Sequence, residues 1–443
     1  MILLPAIRGT TRWVVWRIAR RRFGEIEGLE NLPQDGPIVL VPNHSSYFDH
    51  FVVQVLVQSL RGTPVWFLTK RESFESRLPR PWATAWYGIP VDREAPAPDT
   101  LREVRRVLTS DDALCVYPEG TRGDGGPLRE FRPGAFRFAL AHGVPIVPVG
   151  LHGSADVLRK GDRWFRRGQV DVVFGDPLEV DPSLPKPRAA AELASTGRAV
   201  VEALVERAAA RAAARSRAAA PARGSTLRPA QTPRVSSAVA LDRAVVHALG
   251  DDGRLGARDL RRLRWLWSFV ARHEGADLDL RVQRARLAAL RAARLMGPFR
   301  LVGALLLRRR VSRLLDESPT HGLANYLAGR WCLAMPSLLG GGARRALPHF
   351  ATATRYSDDP TRAAMGAASA RVALGQDEQA AELLRQVIAE TPVAHPHHDR
   401  RTARARRLLA ELTGEPGAAP ESGSAPGPGS APASRPRPEG AVS

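Results

Sequence analysis

The sequence predicts an α/β domain, a mixed sheet flanked by helices, followed by an all-α domain and a disordered tail. Three observations carry this. Between residues 25 and about 185, short apolar runs with strand character alternate with helical spacing, the signature of an α/β layer. Residues 241–411 are nearly all helical in pattern, and Ala346, Phe350 and Ala353 recur as Ala380, Leu384 and Val387, a displacement of 34 (380 − 346). From about Gly414 the chain is Gly, Pro, Ser and Ala, with too few large apolar groups to offset the entropy of ordering.

Taken in order, residues 1–24 (MILLPAIRGTTRWVVWRIARRRFG) combine Trp13 and Trp16 with Arg12, Arg17 and Arg20 to Arg22 at helical spacing. Arg8, Arg12 and Arg17 break any continuous apolar core, so this is no span; it suits a helix lying on an anionic membrane surface. Residues 25–220 form the α/β domain, with strands expected at 38–41, 65–68, 113–117, 146–151 and 170–174. Asp99 is placed to cap a helix whose Leu101, Val104, Val107 and Leu108 share one face. An Ala/Arg-rich helical tail follows from 188 to 220, then a Pro/Ser/Thr-rich flexible linker at 221–240. The helical domain spans 241–411 and the tail 412–443. On this division a chain ended near Ala222 is expected to fold by itself.

Composition narrows the function classes. Of 443 residues, 65 are basic and 45 acidic, a net charge of +20, and only Lys70, Lys160 and Lys186 among the basic residues are lysines. Such a chain favours anionic partners: nucleic acid, anionic lipid or a phosphorylated substrate. Cys115 and Cys332 stand in unlike contexts, so neither a disulfide framework nor a cysteine zinc site is expected, and Cys115, mid-strand, reads as core. The HPHHD run at 395–399 carries Pro396 and has no Cys or helical partner for a metal. The DDGRL stretch at 251–255 would put Ala248 and Gly250 on the first and third positions of a calcium loop. No metal and no cofactor are therefore expected.

The segment VPNHSSYFDH at 41–50 carries the chemistry. A strand runs through Pro42 into Asn43 and His44, and helical spacing begins near Phe48 with Asp49 close to its start. A turn can fold that carboxylate back onto the imidazole, fixing its tautomer and raising the basicity of the other nitrogen, as a general base requires. Ser45 and Ser46 lack the Gly-x-Ser-x-Gly setting of a nucleophile and read as turn or capping residues, and Asn43 as a turn or polarising residue. Further on, Glu119-Gly120-Thr121-Arg122 follows a buried run, with Gly120 able to bring the backbone close to a ligand, and Arg93 and Arg122 each end an apolar run where a guanidinium suits phosphate.

These segments, NHSSYFD at 43–49, GIPVDR at 88–93, YPEGTRG at 117–123 and VPIVPVGLHG at 144–153, resemble in order and spacing the four blocks of the glycerolipid acyltransferase family that includes 1-acyl-glycerol-3-phosphate acyltransferase. The resemblance covers roughly residues 25–180. It implies an O-acyltransferase of phospholipid biosynthesis in which His44 takes the proton of an acceptor hydroxyl as it attacks an acyl thioester, with Asp49 orienting the imidazole. It also implies that Arg93, Glu119, Gly120, Thr121 and Arg122 bind the phosphorylated acceptor, a lysophospholipid, while acyl-CoA or acyl carrier protein serves as co-substrate. A peripheral place on the cytoplasmic face of a membrane goes with this reading. The 34-residue period resembles the tetratricopeptide repeat, which implies that the helical domain binds a protein partner. Two other readings exist: a basic nucleic-acid-binding protein, disfavoured by the lack of a stacking-aromatic motif or zinc finger, and a scaffold with a degenerate catalytic half, disfavoured by the intact His44, Asp49, Arg93 and Glu119.

Overall fold

The computed structural model describes residues 18, 21–75, 83–84, 86–92, 97–159, 161–162, 165–219, 237–249, 254–273, 277–295, 297–393 and 397–414. Most of the expected 1–24 surface helix, most of the 221–240 linker, nearly all of the 412–443 tail and Arg93 lie outside the described residues. The chain divides into two compact units, Met1–Glu317 and Ser318–Ser443.

The first unit is built on seven strands: β1 (Phe23–Glu27), β2 (Ile38–Pro42), β3 (Val65–Lys70), β4 (Gly88–Val91), β5 (Ala113–Cys115), β6 (Ile146–His152) and β7 (Val170–Phe174). They lie in the order β1-β7-β6-β2-β5-β3-β4. Every neighbouring pair is parallel except β6 with β7, so the sheet is mixed. Its central strands are covered on both faces, which is why IVLVP in β2 is an unbroken buried run rather than an alternating one. The strands missed by sequence are the two edges. In β1, FGEIE, acidic residues interrupt the apolar signal; β4 is only four residues long and contains Pro90.

Side chains alternate across the sheet. Ile38 and Leu40 face a core shared with α1 (Phe48–Arg61), while Val39 and Val41 face one shared with α2 (Pro98–Leu108), α3 (Gly134–His142) and α4 (Lys186–Ala219). Asp99 does not cap α2: Ala97 holds the cap position and Asp99 pairs with Arg102 in the first turn, while Leu101 faces outward and Thr100 takes its place in the buried face. The Ala/Arg-rich α4 lies against β6, β7 and β1. At Gly150 on β6 a Cβ would come within 2.5 Å of the Leu204 backbone, so only glycine admits this approach. Its arginines clamp the sheet edge: Arg207 pairs with Glu27, Arg211 with Glu25 and Glu27, and Arg215 holds buried Asp171 through two bonds of 2.6 and 2.7 Å.

The boundary expected at 221–240 is displaced. Ser237 already opens α5 (Ser237–Ala248), followed by α6 (Ala257–His273), α7 (Leu278–Ala292) and α8 (Gly297–Glu317). Ala238, Leu241, Leu263, Leu266 and Leu280 are buried in the same core as Leu40, Val52, Leu56 and Phe67. Arg262 donates to the carbonyls of Ser59 and Leu60, 3.2 and 2.6 Å, supplying partners at the C-terminal end of α1. Helices α5 to α7 thus complete the α1 face of the sheet, and the unit ends at Glu317 rather than before residue 241.

The second unit stacks α9 (Gly322–Ala334), α10 (Ala343–Tyr356), α11 (Pro360–Val372), α12 (Asp377–Glu390) and α13 (His398–Thr413), each against the next. Helices α10 and α12 start 34 residues apart (377 − 343), and all six repeat positions from Ala346 to Val387 are fully buried. Phe350 fits against Gly329 and Gly366, where a Cβ would sit 2.7 and 2.4 Å from its ring. Arg401 on α13 grips Asp359, which caps α11; burial would raise the Asp359 carboxyl, but Arg401 and Arg362 outweigh it and hold it well below the usual range. His398, from the HPHHD run, bonds the Thr391 carbonyl at 3.0 Å; residues 395 and 396 of the run lie outside the described residues.

Candidate active site

The site lies beyond the C-terminal ends of the adjacent parallel strands β2 and β5, where open α/β sheets place their ligands. After Pro42 the chain leaves the sheet through Asn43, which is buried and not a polarising group. Its amide donates to the Leu151 carbonyl at 2.9 Å and accepts from the Leu151 N–H at 2.7 Å, fastening the turn to β6. His44 follows and meets Asp49, in the first turn of α1, with Nδ1 to Oδ2 at 3.0 Å. The same Oδ2 accepts the N–H groups of Ser45 and Ser46, each at 2.8 Å. Three donors on one oxygen fix the carboxylate, and its contact with Nδ1 orients the imidazole.

The serines act as the sequence indicates. Ser46 Oγ accepts the Phe48 N–H and donates to the Leu158 carbonyl, while Ser45 Oγ and Ser154 Oγ are 2.8 Å apart. Glu119, expected among the acceptor-binding residues, also has a part in holding the loops together. It is buried, with Oε1 on the His44 N–H at 2.7 Å and Oε2 on the Arg129 N–H at 3.3 Å, so it fastens one loop to the other. Burial raises its carboxyl, against the lowering effect of those two amides. The Gly123 N–H closes the junction on the His44 carbonyl at 2.7 Å.

Gly120 has φ of 71°, so the turn favours glycine for its left-handed conformation, while a Cβ there would displace the exposed Arg132 side chain. Thr121 is partly buried in the same turn. Arg122 lies over the Tyr47 ring with its guanidinium carbon 3.3 Å from the centroid, and its buried Nη1 has no hydrogen-bond partner among the described residues. A buried, unmatched guanidinium donor is costly unless an anion reaches it.

Two aromatic groups escaped sequence reasoning. Tyr117 stacks on His44 with centroids 3.8 Å apart, and its hydroxyl lies 3.2 Å from His50 Nδ1. Burial, then the proximity of His44 and Arg122, pushes His50 down to about 3, so at neutral pH it is uncharged and its tautomer sets the direction of the bond to the hydroxyl. Burial also pushes the Tyr117 phenol well above its ordinary value. The available signal was adjacency: Tyr117 opens the YPEGTRG block and His50 follows Asp49. Cys115, two residues before Tyr117, is buried core. Among the described residues no group of three or more His, Cys, Asp or Glu side chains is placed to hold a metal ion.

Residues 24–152 match the family model described as Acyltransferase, and the chain is similar to curated 1-acyl-sn-glycerol-3-phosphate acyltransferases. A chloroplastic 1-acyl-sn-glycerol-3-phosphate acyltransferase of Brassica napus is 33% identical over 159 residues, 35% of this chain and 44% of that one. The enzyme of that name from Bacillus subtilis is 27% identical over 150 residues, 34% of this chain and 70% of its own. The crystal structure of the 1-acyl-sn-glycerophosphate acyltransferase of Thermotoga maritima shares 24% identity with a TM-score of 0.35, over 46% of this chain and 81% of that one. The chain therefore spans less than half the length of the plant relative.

Proposed function

We propose that this protein is an O-acyltransferase that moves a fatty acyl group from an acyl thioester, acyl-CoA or acyl carrier protein, to the free hydroxyl of a lysoglycerophospholipid such as 1-acyl-glycerol-3-phosphate. The observation that carries the reading is the His44 to Asp49 contact inside the acyltransferase-matching segment. His44 Nε2 removes the hydroxyl proton as the oxygen attacks the thioester carbonyl, and Asp49 balances the charge that develops on the ring. The proton then serves the departing thiolate, and no covalent acyl-enzyme is required. Arg122 Nη1 supplies a donor for the acceptor phosphate, with Gly120 and Thr121 shaping the turn; Arg93 is assigned to the same phosphate on its sequence position alone.

Such an acceptor resides in a membrane. No helix among the described residues is long and apolar enough to cross one, and the proposed location is peripheral, on an anionic cytoplasmic surface. The helices from 322 to 413 carry the 34-residue spacing and are proposed as a partner-binding module of tetratricopeptide type. The test is an assay of the purified full chain against 1-acyl-glycerol-3-phosphate, glycerol 3-phosphate and unphosphorylated 1-acylglycerol, with both donor types. Acylated phospholipid and free thiol should appear in equal amounts with a phosphorylated acceptor. Absence of thiol release from every pair, or preference for the unphosphorylated alcohol, contradicts the proposal.

A further inference from the structure

Helix α8 is unlike the other helices of its unit. It packs on α7, with Leu307, Val311 and Leu314 buried along one stripe. The opposite side of its first turns is apolar and open: Phe299 is 72% exposed, Val302 55%, Leu306 50%, Leu301 41% and Leu305 39%. Phe299, Val302 and Leu306 follow each other at three- and four-residue steps, so they form one continuous stripe. The next turns replace this apolar surface by Arg308, Arg309, Arg310 and Arg313, all exposed. Over residues 297–317 there are five arginines and two acids, a net charge of +3 (5 − 2), with the acids confined to the end and Glu317 engaged by Arg281.

Five large apolar side chains held in water on adjoining turns are costly to leave uncovered. The stretch from 297 to 307, interrupted by Arg300, is too short to span a bilayer, whereas an apolar stripe beside clustered arginines is the arrangement of a helix lying in the headgroup layer. We infer that α8 is a membrane-docking element, its Phe299, Val302 and Leu306 stripe entering the acyl boundary of an anionic bilayer while Arg309, Arg310 and Arg313 meet lipid phosphates. The choice of a bilayer as occupant rests on this charge complementarity and on the proposed lipid acceptor, which lives in that layer. Docking through α8 holds the catalytic unit itself at the membrane, because α8 belongs to the Met1–Glu317 unit.

The test uses the full chain and phosphatidylcholine vesicles with or without phosphatidylglycerol. Phe299→Gln/Val302→Gln/Leu306→Gln should weaken flotation with anionic vesicles by about tenfold or more. Arg309→Gln/Arg310→Gln/Arg313→Gln should abolish the preference for phosphatidylglycerol and the sensitivity to salt. Independently of these replacements, Val302→Cys labelled with an environment-sensitive dye should blue-shift on anionic vesicles; Cys115 and Cys332 are buried and escape the label. Unchanged flotation of both triple variants, or an unshifted dye, overturns the inference. So does a triple apolar variant that keeps vesicle binding but changes the sedimentation of the vesicle-free protein, since a second copy would then cover the stripe. Acyl transfer to a short-chain, monomeric lysophosphatidate in solution separates the two readings: all variants should retain it, and its absence from the wild type counts against the proposed function without touching the docking result.

Discussion

Residues 42–50 and 117–123 of the first unit are held by polar contacts, with Asp49 Oδ2 collecting three donors and Glu119 fastening two loops. Residues 322–413 of the second unit are held by shape, Phe350 seated between two glycines and alanines lining the helix contacts. The difference teaches what each region can tolerate. A hydrogen-bonded turn loses function when one acceptor moves by a fraction of an ångström, whereas a packed stack loses stability in proportion to the volume removed.

The largest effect that can break this comparison is truncation. A chain ending at Ala222 lacks α5 to α7, exposes the α1 face of the sheet and should not fold; a chain ending at Glu317 should fold and retain transfer. Circular dichroism and gel filtration of the two chains check this, and a folded, active 1–222 chain would restore the boundary read from sequence. Next, Phe350→Ala should cost about 3–5 kcal/mol in the second unit, read by denaturant unfolding, because the cavity between three helices cannot close fully. Transfer measured under native conditions should be unchanged; a parallel loss of turnover would show that the stack is part of the catalytic apparatus.

Much of this division was legible in the sequence, for identifiable reasons. His44, Asp49 and the central strands were visible because local spacing determines them: a turn brings the pair together, and buried parallel strands are apolar throughout. Edge strand β1 was hidden because Glu25 and Glu27 meet arginines from α4 almost two hundred residues later. The shared core of α5 to α7 was hidden for the same cause, since an amphipathic pattern shows that a helix has a buried face but not what covers it. Glu119 was visible as a residue of interest but its loop-fastening contacts were not, because a motif does not show which backbone N–H groups a carboxylate will meet.

A smaller effect concerns the anion subsite. Arg122→Ala should weaken saturation by a phosphorylated acceptor by about 1.5–3 kcal/mol, the range of a hydrogen bond to a charged group, and leave donor saturation unchanged. Steady-state kinetics with each substrate varied in turn decides it, and equal losses for both would place Arg122 outside the acceptor subsite. The smallest effect is a difference in acid response between the units. His50 takes a proton near 6.5 when unfolded and near 3 when folded, so the first unit should lose stability as pH falls through that window. Asp359 has a folded value below its ordinary 3.8, so its contribution to the second unit persists above that value and is lost only on further acidification. Calorimetry between about pH 7 and 5, with the second transition identified by Phe350→Ala, should show the first transition moving down further than the second, where burial lowers His349 by less than His50.

The central claim, that His44 is the general base of acyl transfer, is tested most directly by His44→Ala in the full chain, assayed for thiol release with 1-acyl-glycerol-3-phosphate. Turnover should fall by about 10²- to 10⁴-fold, with the circular dichroism spectrum and vesicle binding of the wild type retained. Turnover within about threefold of the wild type, in a folded protein, would contradict the account, since removing a general base cannot leave the rate so nearly intact.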